Sequence, residues 1–385
     1  MDLFDRMLSA FKGGAPARAP LARGYLNHCN GLFEGSAGRT SYHYERAVRA
    51  SFLANPIAQR AVRIVAESVG QAPIYANEDR LLKLVTATSA GQSLIETLAA
   101  HLVLHGNAYV QIIKDASGQP IELFALRPER MTAITDAQGW PFAYDYSVDN
   151  VTSRIAVEDD DGWPGLVHIK AMHPLDDYLG AGALSAAWPA VTLHNAAAEW
   201  NRALLENAAR PSGALVYDAG DGAGLTQDQF ERLRGELDSA FSGSPNAGRP
   251  MLLDGGLKWQ SMALSPADMD FATLKSAAAR DIALAFGVPP MLLGLPGDNT
   301  YSNYREANRA LWRLTLLPLA HKLFAALGEG LAAWFPDAGL AIDLDLIPAL
   351  SEDRERLWSQ VSDADFLTRA EKRELLGFGP EENAQ

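Results

Sequence analysis

The sequence predicts an α+β chain, and three observations carry that prediction. From about residue 108 to 170, apolar residues alternate along short runs separated by Gly-containing turns, the period of antiparallel strands. On both sides of that region they recur three and four residues apart, the period of a helix with one buried face. Between two long helical stretches lies a smaller insert in which both periods occur.

Taken in order, Met1 to Phe11 sets Leu3, Phe4, Met7, Leu8 and Phe11 on one side of a short amphipathic helix. Lys12 to Thr40 is loaded with Gly, Ala, Pro and Arg and reads as an irregular arm that orders against a neighbour. Its Arg18, Arg23 and Arg39 are candidates for nucleic-acid contact, although a solvated tail is the plainer reading. Asn55-Pro56 opens a helix by the cap-then-proline rule, with Ile57, Ala61, Ile64, Val65 and Ser68 as its inner face. A second helix covers Ser93 to His105 and stops at Gly106. Strands follow at Ala108–Lys114, Ile121–Leu126, Met131–Thr135, Phe142–Ser147 and Leu166–Lys170, the last reached through the acidic turn Glu158–Gly162. Residues 45 to 175 therefore form one α+β module.

The turn Asp176–Gly182 leads into a long helix over Pro189–Ala209, roughly 30 Å at 1.5 Å per residue. Arg210-Pro211 breaks it. The insert then holds a strand at Ala214–Tyr217, a helix capped by Thr226 and Gln229 with Phe230, Leu233, Leu237 and Phe241 on one side, and a hairpin of Pro250–Leu253 with Lys258–Gln260. Ser265, Pro266 and Asp268 open the second long helix, whose inner face is Phe271, Leu274, Ala278, Ile282 and Phe286. Gly287 and Pro289-Pro290 end it, and Gly294–Thr300 is too rich in turn formers to be regular. Tyr304 to Trp334 is helical, kinked near Pro318, with Leu311, Leu314, Leu317, Phe324 and Leu327 inside. Ala341–Leu346 alternates as a strand, and helices follow from Ser351 and Thr368.

The chain has 385 residues, 48% of them hydrophobic and 21% charged, an ordinary globular mix with room for two or three domains. A formal net charge of -14 excludes a simple DNA-coating protein but suits a wall along which phosphates slide without being held. The single cysteine, Cys29, excludes an intramolecular disulfide and fits a reducing compartment. The opening MDLFDRML lacks the pattern of a signal peptide, and no uninterrupted apolar run approaches a membrane span, so no membrane partner is expected.

Signals for catalysis are sparse. His101 and His105 stand four apart on a helix, as metal ligands can, but no glutamate lies between them and no third ligand is near in sequence. Asp343 and Asp345 share one side of the alternating segment and could hold a divalent cation; the wet side of an amphipathic strand explains them as well. Asp159-Asp160-Asp161-Gly162 lacks the further ligands of a calcium loop. The clusters Gly180-Ala-Gly182 and Gly220–Gly224 match neither a phosphate loop nor a dinucleotide fingerprint, and no serine elbow or cysteine nucleophile context is present. Neither a cofactor nor a catalytic residue is expected. A metal-dependent hydrolase using the aspartate or histidine pairs is the enzyme alternative.

Several stretches resemble the portal proteins of tailed bacteriophages. They are His105-Gly-Asn-Ala-Tyr-Val110, Gly118–Leu123, Leu126-Arg-Pro-Glu-Arg130, Val167-His-Ile-Lys170, Asn207–Leu215, Ile282–Gly294 and Tyr301–Asn308. The likeness runs from about Phe52 to Gly379 in the family's order. It implies a portal-type fold: an N-terminal arm (1–44), an antiparallel-sheet wing (45–182), stem helix 1 (183–210), a small clip (211–264), stem helix 2 (265–288), a tunnel loop (289–303), a long kinked wing helix and strand (304–350) and a short crown (351–385).

The resemblance also implies a function. Subunits of the family close a ring, dodecameric in particles, at one capsid vertex, and double-stranded DNA passes through it during packaging and ejection. Assembly takes place in the host cytoplasm, and the site of action is a virion or a phage-like gene-transfer particle. Leu295, Asp298, Asn299, Thr300, Ser302 and Asn303 would face the channel, the last five small and polar enough for weak, sequence-blind phosphate contacts. Tyr217, Phe230, Phe241, Leu253 and Trp259 would form the clip surface for ring contacts and for docking the large terminase subunit and the neck adaptor. The wing would meet the major capsid protein. Another ring-forming head or neck protein without a DNA channel is the structural alternative.

Overall fold

The computed structural model describes residues 43–206, 213–217, 226–241, 257–261, 271–296, 301–336 and 339–376. In chain order its first elements are α1 (Tyr44–Val48), a π-helical turn (Arg49–Leu53), α2 (Pro56–Gly70), β1 (Ile74–Ala76), α3 (Asp79–Val85), β2 (Thr88–Ser89), β3 (Gln92–Ser93) and α4 (Leu94–His105). Strands β4 (Asn107–Lys114), β5 (Pro120–Leu126), β6 (Met131–Thr135), β7 (Pro141–Val148), β8 (Val151–Ala156) and β9 (Leu166–Lys170) follow. Then come α5 (Ala183–Glu206), β10 (Gly213–Tyr217), α6 (Gln227–Phe241), β11 (Leu257–Ser261), α7 (Phe271–Ala285), α8 (Tyr301–Leu311), a second π turn (Trp312–Leu316), α9 (Leu317–Leu331), β12 (Leu340–Ile342), α10 (Ser351–Asp363) and α11 (Arg369–Leu375). The chain is thus mixed α+β. The N-terminal helix and arm, the cap Ser265-Pro266-Asp268 and the strand Pro250–Leu253 lie outside the described residues.

The chain divides into two compact units, one of residues 1–47, 62–185 and 300–385, the other of 48–61 and 186–299. The first is built on the antiparallel sheet β5-β4-β9. Strand β4 is buried on both sides, because its faces have different covers. Helices α4 and α9 pack on the sheet through Leu98, Leu102, Leu323, Phe324 and Leu327. On the other side Tyr109, Leu126 and Leu166 meet Tyr144 of the meander β6-β7-β8. Strand β8 escaped the sequence reading because it is mostly exposed and has no dry face to impose alternation. Strand β1 pairs with β12, bringing residues 74–76 and 340–342 together.

Three local expectations change. The alternation at 341–346 ends as a strand at Ile342. The Asp343 carboxylate accepts the Asp345 N–H at 3.0 Å and turns the chain into a 3-10 helix, the local side-chain bond that competes with extended backbone. The kink expected at Pro318 is a π-helical turn at Trp312–Leu316, which absorbs the missing proline N–H and rotates the inner face. As a result Leu314 is exposed and Leu316 is buried in its place. Helix α5 begins at Ala183, not Pro189; the proline sits inside it on the solvent side, where its missing bond to the Ser185 carbonyl can be made by water. The helix Ser302–Leu331 is by length and composition apolar enough to cross a bilayer, although Arg313 and Lys322 interrupt its apolar run, and Leu316, Leu323, Phe324 and Leu327 on its apolar side are spent in the core of the first unit.

In the second unit Asn55 caps α2, its Oδ1 accepting the N–H groups of Ile57 and Ala58 at 3.0 Å. Its Nδ2 donates to Asn195 Oδ1 at 2.8 Å and lies 3.0 Å from His194 Nδ1, fixing that cap to α5. Strands β10 and β11 form an antiparallel pair with Leu215 opposite Trp259 and Tyr217 opposite Leu257. Among the described residues Lys258–Gln260 pairs with the strand at 213–217; the expected pairing with Pro250–Leu253 lies outside the described residues. Thr226 and Gln229 form the expected reciprocal cap of α6.

Candidate functional site

The segment that follows α7 is shaped by two successive glycine stops. Phe286 is buried and Gly287 takes φ +67°. The Val288 N–H reaches the Ala283 carbonyl at 2.9 Å and the Gly287 N–H that of Leu284 at 3.0 Å, which satisfies the last carbonyls of the helix. Pro289-Pro290 forbids continuation and starts a 3-10 turn, Pro290–Leu293, closed by Gly294 at φ +72°. Arg280 of α7 then donates to the Pro296 carbonyl at 2.8 Å. Chain direction is set up to that residue, with Leu295 half-buried. Ala278, Ala279, Ile282, Ala283 and Phe286 form the buried face of α7, whereas Leu274, expected inside, is exposed.

Asp298, Asn299 and Thr300 lie outside the described residues. Ser302 and Asn303 are exposed in the first turn of α8, which carries no acidic residue there. Downstream, Arg305 pairs with Glu352 at 2.5 Å, and the largely covered Arg309 meets Glu352 at 2.7 Å, Glu306 at 3.1 Å and Asp353 at 3.5 Å. Helix α8 is thereby clasped to α10.

Of the second predicted set, Phe230 is exposed on α6, where nearly every residue from Thr226 to Gly235 faces solvent. Tyr217 and Trp259 occupy β10 and β11, Phe241 ends α6, and Leu253 lies outside the described residues.

The pairs that an enzyme would have used are tied up in structure or buried. Asp345 receives Arg354 through two bonds, 2.5 and 3.0 Å, and the Trp358 indole N–H at 3.3 Å; the guanidinium holds its carboxyl below the usual range. His101 and His105 are both pushed down to about 4 by burial, which disfavours the charged form. His105 lies against the edge of Tyr44, and no group of three His, Cys, Asp or Glu among the described residues could hold a metal.

The sequence reading missed one network, although His105, Asn107, Tyr109 and His168 of it stand in two of the portal-like motifs. Asn107 accepts the Gly180 N–H on Oδ1 at 2.7 Å, so its Nδ2 donates to the Gly180 carbonyl at 3.2 Å and to His105 Nδ1 at 3.1 Å. His168 Nε2, 3.0 Å from the same Oδ1, must then carry the hydrogen, and its Nδ1 accepts the Tyr144 hydroxyl at 3.0 Å. Tyr109 stacks on His168 at 4.2 Å. Burial keeps His168 neutral, down to about 3, and raises Tyr144 to about 12. Beside it, Gly106 at φ +84° lets Gly180–Gly182 approach so closely that a Cβ there would sit 2.4 Å from backbone. The network ties two sheets to the turn before α5.

The family model for the phage portal protein matches residues 56–377. The chain belongs to the phage portal protein family. Membership sets it among structural, non-enzymatic proteins. It is 39% identical to a protein of Rickettsia bellii over 341 residues, covering 84% of this chain and 86% of that one. Among solved structures it is similar to a chain in the virion of a native gene transfer agent particle, at 44% identity and a TM-score of 0.68, covering 90% of this chain and 97% of that one. It is likewise similar to a chain in the neck of the native particle computed with C12 symmetry, at 43% identity and a TM-score of 0.67, covering 92% and 99%. In this portal-family chain the motifs His105–Val110 and Val167–Lys170 stand on neighbouring strands, which gives them a physical meaning: Asn107, Tyr109 and His168 interlock.

Proposed function

We propose that this chain is the portal subunit of a phage-like gene-transfer particle or compact tailed-phage head. Twelve copies close a ring at one capsid vertex, and double-stranded DNA passes through the bore. The observation that carries the reading is the likeness, at 43% identity over 92% of the chain, to a neck component of a particle treated with twelvefold symmetry. In this reading residues 45–182 and 304–350 are the wing and meet the major capsid protein. Helices α5 and α7 are the stem, 211–264 the clip that docks the large terminase subunit and later the neck adaptor, and 351–385 a short crown.

Leu295, Asp298, Asn299, Thr300, Ser302 and Asn303 form the tunnel loop. The support is local: Gly287 and Gly294 direct the chain up to Pro296, and the Arg305 and Arg309 pairs with Glu352 anchor α8 to α10. Small polar side chains with one carboxylate favour passage over capture, since added negative charge weakens phosphate binding. The test is the double variant Asp298→Ala/Asn299→Ala beside deletion of 297–300. Rings should assemble normally, while the yield of DNA-filled particles from the deletion falls at least tenfold. Normal DNA filling by the deletion variant would refute the tunnel role.

A further inference from the structure

A small apolar surface lies beside the place where the described chain begins. Tyr44 meets the ring of His105 edge-on at 4.6 Å, and His105 is joined through Asn107 to Gly180. The Ala171 N–H reaches the Gly106 carbonyl at 2.7 Å, which fixes the start of the segment 171–179 at the same place. On that segment Met172 is 77% and Leu175 69% exposed, and Pro174 between them is exposed as well. Exposed apolar side chains are ordinary when single; here they are crowded into one short segment and form a patch.

The same segment holds a carboxylate that lacks a donor. Asp176 is only 6% exposed. Its Oδ1 accepts the N–H groups of Tyr178 at 2.7 Å and Leu179 at 2.9 Å, while Oδ2 is buried with no hydrogen-bond partner among the described residues. A buried carboxylate oxygen without a donor is costly, and a guanidinium answers both its charge and its lone pairs. Lys170, close by in sequence, gives its ammonium to the Asp177 carbonyl. Asp177 is exposed, is engaged in contacts of its own and adds a second negative charge.

The N-terminal arm carries the complementary chemistry. Its run Ala15-Pro-Ala-Arg18-Ala-Pro-Leu21-Ala-Arg23 places an arginine three residues before a leucine. In the extended conformation that prolines favour, residues three apart share a side. At about 3.3 Å per residue the chain from Leu21 to His43 spans up to about 70 Å, ample to return to a segment beside Tyr44. Residues 1–47 and 62–185 belong to the same compact unit. We propose that the arm folds back on its own copy and seats Pro16–Arg23 on the segment 172–177. Pro20 and Leu21 cover Met172 and Leu175, and Arg18 supplies the donor that Asp176 lacks. The arm's arginines are then committed to protein carboxylates and not to nucleic acid, and the approach to α5 is held from outside as Asn107 holds it from within. This docking is internal to one copy and does not depend on ring closure.

Limited trypsin digestion of the full-length protein tests it, because trypsin cuts after Arg18, Arg23 and Arg39 and only the first two lie in the docked segment. Cuts after Arg18 and Arg23 should be about tenfold slower in the unaltered chain than in the double variant Met172→Ser/Leu175→Ser, while the cut after Arg39 keeps its rate. Asp176→Asn, which keeps the Oδ1 acceptor and removes the charge, should speed the same two cuts. A second arm places cysteines by Leu21→Cys and Leu175→Cys together in a Cys29→Ser background. Oxidation should join them within one chain, read on a non-reducing gel as a single-chain mass with both thiols lost. Chains linked in pairs would overturn docking within one copy, since they mean a neighbour's arm. Equal cutting after Arg18 and Arg23 in the unaltered chain and the double variant, with no bond formed, would overturn the docking altogether. Protection of those two cuts that arises only when double-stranded DNA is added would also overturn it, since the arginines would then belong to nucleic acid.

Discussion

At the residue scale the buried histidines make a prediction about acid. His101, His105 and His168 are held neutral in the folded chain, with values pushed down to about 4, 4 and 3 by burial. Unfolded, each titrates near its ordinary 6.5. Below that pH the unfolded chain binds protons that the folded one does not, so stability is fully present above about 6.5 and falls as pH drops toward 4. Each unit of difference is worth about 1.4 kcal/mol. Urea melts at pH 7 and 4.5 should show the midpoint falling sharply. His101→Leu should flatten that fall, because His101 Nδ1 is buried without a hydrogen-bond partner and contributes a proton-linked cost with no compensating bond. An equal pH slope in the variant would contradict this assignment. Asn107→Ala should cost about 2–4 kcal/mol, since it strands the Gly180 N–H and the His168 N–H in a dry site. A melt within 0.5 kcal/mol of the parent, on the order of an ordinary surface change, would show that the network is dispensable.

At the element scale two glycines in helical segments should respond with opposite sign. Gly235 lies inside α6 with nothing within 4 Å of the place a Cβ would take, so Gly235→Ala should stabilise by about 0.8 kcal/mol through helix propensity. Gly287 ends α7 at φ +67°, and Gly287→Ala should destabilise by about 1 kcal/mol because a side chain disfavours that conformation. Calorimetry of both variants checks the pair; equal signs would contradict the cap. Much of this scale was legible in the sequence. Asn55-Pro56, Ser93 with Gly106, Thr226 with Gln229, Gly287 and Thr368 each bounded an element by local chemistry that packing did not override. The failures have physical causes too. The Leu311–Leu327 stripe assumed an unbroken 3.6 repeat, and the π turn before Pro318 shifted it, exchanging Leu314 for Leu316. Asp343 and Asp345 kept the period of a strand, but a side-chain bond to backbone turned the chain and Arg354 claimed the second carboxylate. The Asn107–His168 network depends on residues 61 apart in sequence, which no local pattern reports.

At the scale of the whole molecule, the family, the α+β class and the order of elements were readable because the motifs are many and spread along the chain, although each is weak alone. The proposed channel was not, because in the proposed ring it is shared among several copies. No group of three His, Cys, Asp or Glu that could hold a metal builds up within the described residues; instead Leu193 on α5, Leu284 on α7 and Phe230 on α6 are exposed. In the proposed ring such surfaces would lie where subunits meet, and an acidic chain of net charge -14 would surround DNA without gripping it. Cryo-electron microscopy of the purified full-length protein tests this most directly. The account predicts closed hollow rings with twelvefold views dominant in assembled particles, α5 and α7 flanking the bore, and residues 297–300 directed into it. Compact single chains at every concentration, or rings carrying residues 297–300 on the outer rim, would contradict it.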